Sequence, residues 1–175
     1  MQTDRVATLP DDAVSVGVLI VTATAPLALE EVVRALSHIG APSWRPLGDV
    51  VVGAVQRLRE VGLLAATAVA PWSGERLAPT DWGRAVLPDL LYALPLSDAA
   101  PDPGYKLKVV GLDVLDALAR ERQLQALLAH WRGLAVQWQE AEVRCPCRQP
   151  SVRGWMRHNI DLAHSEIAWL TAARS

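Results

Sequence analysis

Apolar and polar residues alternate along this chain with the period of a helix almost everywhere, and that rhythm breaks clearly in one stretch. From Asp49 to Glu60, Val51, Val55 and Leu58 fall on one side, with Gln56, Arg57, Arg59 and Glu60 opposite. Gly62 then stops the helix, because glycine takes the left-handed backbone of a C-cap at little cost. Leu63 to Val69 is apolar and partly β-branched, the pattern of a short buried strand. Pro71, Trp72, Ser73 and Gly74 mark a turn, after which Glu75 to Ala78 returns as the paired strand. Thr80 is placed to cap a further helix running through Asp81, Arg84 and Leu87.

Two helices are predicted upstream. Asp11 or Asp12 caps a run from Ala13 through Thr24 whose Val14, Val16, Val18, Ile20 and Val21 would also suit a strand. The polar cap ahead of the run and Ala25-Pro26 behind it favour the helix. Pro26 opens the next, over 27–39, with Leu29, Val32, Val33 and Leu36 inside and Glu30, Glu31 and Arg34 in water. Gly40, Pro42 and Pro46 interrupt before the helix at Asp49. Three helices followed by a two-stranded ribbon and a helix read as a winged helix-turn-helix over residues 1–97. In that arrangement the third helix enters the DNA major groove and the ribbon lies across phosphates.

Ala-Ala-Pro-Asp-Pro-Gly within residues 98–104 reads as a linker. Beyond it, 105–175 is expected to be helical. Tyr105 to Arg120 carries Leu112, Leu115 and Leu118, and Leu124, Leu128, Trp131, Ala135 and Trp138 continue in steps of three and four. Cys145-Pro-Cys147 and Pro150 break the run, and Ser151 is expected to cap a last helix. On that helix Met156, Ile160, Ala163, Ile167 and Leu170 repeat the alternation, while Val152, Trp155, Leu162 and Trp169 widen the apolar face beyond what one partner helix covers. A homodimer interface is inferred, with Leu124, Leu128, Trp155, Ile160, Ile167, Trp169 and Leu170 as its candidate residues. The fold class is therefore mainly α with a small β-ribbon: a winged helix-turn-helix followed by an antiparallel helical dimerisation domain.

Composition adjusts this reading in three ways. An apolar share of 51% over 175 residues supports a folded core. The net charge of -2 supplies no long-range pull toward nucleic acid, so DNA binding must rest on local basic residues. Seven Trp and no Phe favour broad flat contacts, as interfaces and ligand slots use. The apolar run from Val14 to Ala25 is too short to span a bilayer, and a cytoplasmic protein without a membrane partner is expected.

Four segments resemble the PadR family of bacterial transcriptional regulators, over nearly the whole chain. Ala25-Pro26-Leu27 is similar to that family's Gly-Pro-Leu step between the first two helices. Val55-Gln56-Arg57-Leu58-Arg59-Glu60-Val61-Gly62-Leu63-Leu64 resembles its Leu-Arg-Arg-Leu-Glu-x-x-Gly-Leu-Leu segment. Leu77-Ala78-Pro79-Thr80-Asp81-Trp82-Gly83-Arg84 resembles the Tyr-x-Leu-Thr-x-x-Gly-Arg leaving the wing, and Ala163 to Leu170 resembles the closing helix. The resemblance implies a homodimeric regulator, of repressor type, that binds promoter DNA and in some members a planar hydrophobic effector. Where the family carries a Gly-Thr-Leu-Tyr-like stretch this chain has Asp49-Val50-Val51-Val52, which removes hydrogen-bonding groups and places a carboxylate at a helix N-terminus.

The candidate DNA contacts are Arg45 ahead of the recognition helix, Gln56, Arg57 and Arg59 on its body, and Arg76 in the wing. Arginine suits the task because its planar fork pairs with phosphate oxygens or guanine edges; a solvated helix face explains Arg57 and Arg59 about equally well. Trp131 and Trp138, seven residues apart, share a helix face and are candidates to wall a slot for a flat aromatic effector, although packing accounts for them more readily. Cys145-Pro-Cys147 reads as a plain interhelical loop, since its spacing is poor for an unstrained disulfide and matches no zinc motif. No metal site, cofactor motif or catalytic constellation stands out, and Asp113 and Asp116 read as the solvent side of a helix. An enzyme is not expected. The alternative to a DNA-binding regulator is a winged helix that works through protein contacts or by sensing an aromatic ligand.

Overall fold

The computed structural model describes residues 9–40, 44–68, 74–97 and 102–174. The chain divides into two compact units, Met1–Leu115 and Asp116–Ser175.

The first unit is built around α1 (Ala13–Thr24), which buries Val16, Val18, Leu19 and Ile20. Its apolar residues do not form a stripe because α1 is enclosed by neighbours, and such a helix is recognised by its cap rather than by its period. Asp12 supplies that cap, its carboxylate accepting from Val14 N at 3.1 Å, Ser15 N at 3.0 Å and Ser15 Oγ at 2.6 Å. α2 (Leu29–Gly40) and α3 (Gly48–Glu60) both pack on α1, α2 through Val32 and Leu36 and α3 through Val51, Ala54, Val55 and Leu58. Gly62 has φ +76°, as the expected C-cap requires.

Strands β1 (Leu64–Ala68) and β2 (Glu75–Pro79) pair antiparallel, with Leu64 opposite Pro79 and Ala66 opposite Leu77. Leu27, just ahead of α2, adds a one-residue bridge to Leu77 through bonds of 3.1 and 2.8 Å. α4 (Asp81–Ala93) starts at Thr80, whose hydroxyl accepts from Gly83 N at 3.0 Å and donates to Gly62 O at 2.7 Å. These are the winged helix's elements in the expected order. The expected turn residues Pro71, Trp72 and Ser73 lie outside the described residues.

The expected boundary at 98–104, of which 98–101 lie outside the described residues, is corrected. α5 (Pro103–Val110) belongs to the first unit, where Leu107 is fully buried and the helix packs on α1, α2 and α4. Burial of Leu107, and of Leu112 in the short 3-10 turn Gly111–Val114, anchors this segment there. The helix expected over 105–120 is likewise corrected. Leu115 turns extended, and Asp116 caps a new helix by accepting from Ala119 N at 2.8 Å. Leu118, expected in the apolar seam, is 82% exposed in the first turn of that helix.

The second unit is an antiparallel pair, α6 (Ala117–Arg144) and α7 (Pro150–Ala172). Arg120 at the start of α6 donates to Ala173 O at 3.1 Å, and Arg157 pairs with Glu142 at 2.8 Å nearer the loop. Ile160, Ala163 and Leu170 are buried on α7, as the spacing predicts. Gln149 rather than Ser151 occupies the cap position, because proline is well suited to a first helical position and Pro150 takes it. In the loop Cys145 and Cys147 are joined by a disulfide, contrary to the plain loop expected. The turn holds their Cα atoms 5.2 Å apart, inside the range a disulfide spans. Among the described residues no helix is long and apolar enough to cross a membrane.

Candidate nucleic-acid interface

The face of α3 turned away from α1 is the candidate recognition surface. The buried set Val51, Ala54, Val55 and Leu58 fixes the rotation of the helix, leaving Asp49, Val50, Val52, Gln56, Arg57, Arg59 and Glu60 exposed. Leu47, at the N-cap position, is 70% exposed and offers no side-chain cap. Asp49 turns back on its own helix, its Oδ1 accepting from Val50 N at 2.9 Å.

Three of the four candidate arginines are tied to acids of the same unit. Arg57 reaches Asp12 at 3.2 Å and Ser15 Oγ at 3.5 Å, so its guanidinium lies along the α1 cap. Arg59 pairs with Glu75 at 2.7 Å, joining α3 to the start of β2. Arg76 sits within β2 and points to α2, where it pairs with Glu31 at 2.9 Å and donates to Pro26 O at 3.3 Å. Arg45 is exposed and makes no ion pair among the described residues.

The acids respond to this arrangement. Partial burial pushes the Asp12 carboxyl up, but bonds from Ser15 together with Arg57 outweigh it and hold the group below the usual carboxylate range. The Ala28 amide lowers the Glu31 carboxyl, with Arg76 and Arg34 adding to it against some desolvation. Both acids thus stay charged through the neutral range and keep their arginines occupied. Exposed pairs of this kind are weak, typically below about 1 kcal/mol, so a phosphate competes with them rather than being shut out.

A small hollow of about 90 Å³ lies between α2, α3 and β2, lined by Leu29, Val55, Arg59, Glu75 and Leu77. The sequence identified the arginines but not Asp12, Glu31 and Glu75 as their partners. No local pattern signals an ion pair between residues 45 positions apart.

In the second unit Trp131 is buried, its ring edge-on to His130 at 5.8 Å, and Trp138 is half-buried. Leu124, Leu128, Ile160 and Leu170 are buried and Ile167 is half-buried. Trp155 and Trp169 remain 59% and 49% exposed. One further buried group escaped the sequence reading. Lys108 on α5 is 2% exposed, with Nζ donating to Leu91 O and Tyr92 O, both at 2.7 Å, at the end of α4. Burial lowers its pKa to about 8, against a smaller opposing pull from Asp102.

No family model and no curated protein matches the chain. Among solved structures it is similar to Bacillus subtilis PadR in complex with operator DNA, 13% identical, with a TM-score of 0.43 over 93% of this chain and 98% of that one. The same PadR bound to p-coumaric acid gives the same identity and TM-score, over 93% and 97%. The Vibrio cholerae virulence activator AphA is 20% identical, with a TM-score of 0.39 over 92% of this chain and 95% of that chain. At TM-scores below 0.5 these likenesses add no weight to the winged helix described above.

Proposed function

We propose that this chain is a homodimeric, PadR-type transcriptional regulator that binds promoter DNA through α3 of each winged helix. The observation that supports it most is α3 itself: a helix anchored through Val51, Val55 and Leu58, followed by the ribbon, with its opposite face in water. The dimer is supported by α7. Trp155, Leu162 and Trp169 recur every seven residues, on a different face from Ile160, Ala163 and Leu170. A half-exposed indole leaves on the order of 100 Å² uncovered, so covering each one contributes about 2–3 kcal/mol. A planar aromatic effector would be read at Trp138, whose fluorescence its stacking would quench.

The test is sedimentation of the native chain beside a Trp155→Glu/Trp169→Glu variant, with gel shifts on the region upstream of the gene. The native chain is expected to be a dimer and to shift that DNA at low salt, and the variant to be monomeric and to shift it much more weakly. A native monomer, or no shift at low salt, refutes the proposal. A second reading, protein contact instead of DNA contact, is favoured by one specific observation: Arg57, Arg59 and Arg76 are all held by acids. Under it, Arg45→Ala leaves no trace in a DNA titration. Under the first reading Arg45→Ala weakens binding more than Arg57→Ala.

A further inference from the structure

The chemistry displayed by α3 indicates which bases it can read. This inference rests on the DNA-binding reading above and deepens it. A guanine edge presents two acceptors, N7 and O6, and calls for a cationic fork; adenine presents an acceptor beside a donor; thymine presents a methyl group. The two cations on α3 are each engaged by an acid, so a fork would have to be drawn out of an ion pair. Arg57 leans toward Asp12, its Nη1 passing 3.5 Å from where a Cβ on Gly53 would stand, and Arg59 is held at 2.7 Å by Glu75. What remains on the solvent face in the leading turns is methyl groups and one amide. Val50 and Val52 are 45% and 36% exposed, and Gln56 is exposed one turn beyond Val52. The Asp49 carboxylate, which would otherwise dominate this turn, is engaged with its own backbone.

We propose that α3 reads thymine methyl groups through Val52 and an adenine edge through Gln56, and makes no guanine contact. A valine offers only dispersion and exclusion of water, which matches the thymine methyl. A glutamine amide carries the donor and acceptor that match adenine N6 and N7. Val52 and Gln56 are four residues apart, or about 6 Å along the helix. That is roughly two base-pair steps at about 3.4 Å each, so the thymine and adenine lie two steps apart in each half-site.

The experiment titrates the full chain with the duplex upstream of its gene, amplified once with dTTP and once with dUTP. Uracil lacks only the methyl. Losing one buried methyl in each half-site weakens binding by about fourfold per site, so the dU duplex is expected to bind about fifteenfold less tightly. Val52→Ala, a change at a solvent-facing position, is expected to bind both duplexes alike, near the native affinity for the dU form. Gln56→Ala is expected to weaken both and keep their ratio. Native protein that binds both duplexes equally well overturns the methyl reading while leaving DNA binding intact. A Val52→Ala variant that still prefers the dT duplex overturns the assignment to Val52. Absence of affinity for either duplex at low salt overturns the DNA reading and this inference with it.

Discussion

If α3 binds DNA while its arginines stay paired, the complex will be unusually indifferent to salt. Each phosphate neutralised by a free cation contributes about -0.9 to the slope of log K against log salt. Per head, Arg45 has no ion pair among the described residues, whereas Arg57, Arg59 and Arg76 face Asp12, Glu75 and Glu31 at 3.2, 2.7 and 2.9 Å. A dimer using only its two Arg45 side chains has a slope of about -2 and loses about tenfold in affinity between 50 and 200 mM salt. A dimer that releases all four arginines in each head has a slope of about -7 and loses about ten-thousandfold over the same range. Fluorescence anisotropy of a labelled upstream duplex across that range separates the two. Glu75→Gln extends the test, because it frees Arg59 without disturbing a helix cap. It is expected to steepen the slope by about 2 and to tighten binding at low salt. A native slope steeper than about -4, or a Glu75→Gln variant indistinguishable from native, refutes the view that these ion pairs persist on DNA.

Two further perturbations examine the scaffold. At Gly83 a Cβ would lie 2.0 Å from Leu63 O, a carbonyl already bound to Thr80 N at 3.0 Å, so Gly83→Ala is expected to cost about 3 kcal/mol and lower Tm by about 10 °C. Gly133→Ala on α6, where a Cβ meets nothing within 4 Å, is the control and is expected to stabilise by up to about 1 kcal/mol, both read by thermal melts. Lys108 gives a pH signature. Its folded pKa of about 8 lies below the 10.5 of the free side chain, so between those values the unfolded chain binds more protons and stability rises with pH. The gain is absent below pH 8 and reaches about 3 kcal/mol by pH 10.5, measured as the urea stability of the native chain minus that of Lys108→Met. A difference that stays flat across this range removes Lys108 as its source.

The head was legible where local chemistry is decisive. The α2 and α3 stripes, Gly62 and Thr80 each state their role within a few residues, and the structure places each as expected. α1 was harder, since a helix enclosed on several sides loses its period, and the Asp12 cap decided it. The division between the units leaves no mark in the sequence because Leu112, Leu115 and Leu118 keep helical spacing straight through it. From the sequence Asp116 reads as a solvent-facing residue, although acids at that spot also cap helices, and only the extended backbone at Leu115 makes it a cap. The ion pairs of the candidate interface lay beyond reach for a different reason. Arg57 and Asp12 are neighbours only after α3 has packed on α1, and Arg59 meets Glu75 only after the ribbon has folded back.

These ion pairs also bear on why the proposed DNA binding would need two tails. A recognition surface whose candidate arginines, Arg45 apart, are paired with acids, and which adds one amide and a few methyl groups, has little with which to hold DNA, since phosphate neutralisation supplies most non-specific affinity. Phosphate can draw Arg57, Arg59 or Arg76 away only by more than each exposed pair is worth, about 1 kcal/mol or less. Joining two heads compensates for this without requiring the pairs to open. The first contact raises the effective concentration of DNA at the second head into the millimolar range, which multiplies two weak affinities without any new contact. In the proposed dimer the tryptophans of α7 would therefore be functionally linked to α3 although they touch no base. A Trp155→Glu/Trp169→Glu variant is expected to keep a folded head and lose nearly all its grip on DNA. The same two substitutions in a chain with Glu75→Gln are expected to restore part of it, because a freed Arg59 replaces some of the affinity that pairing supplied.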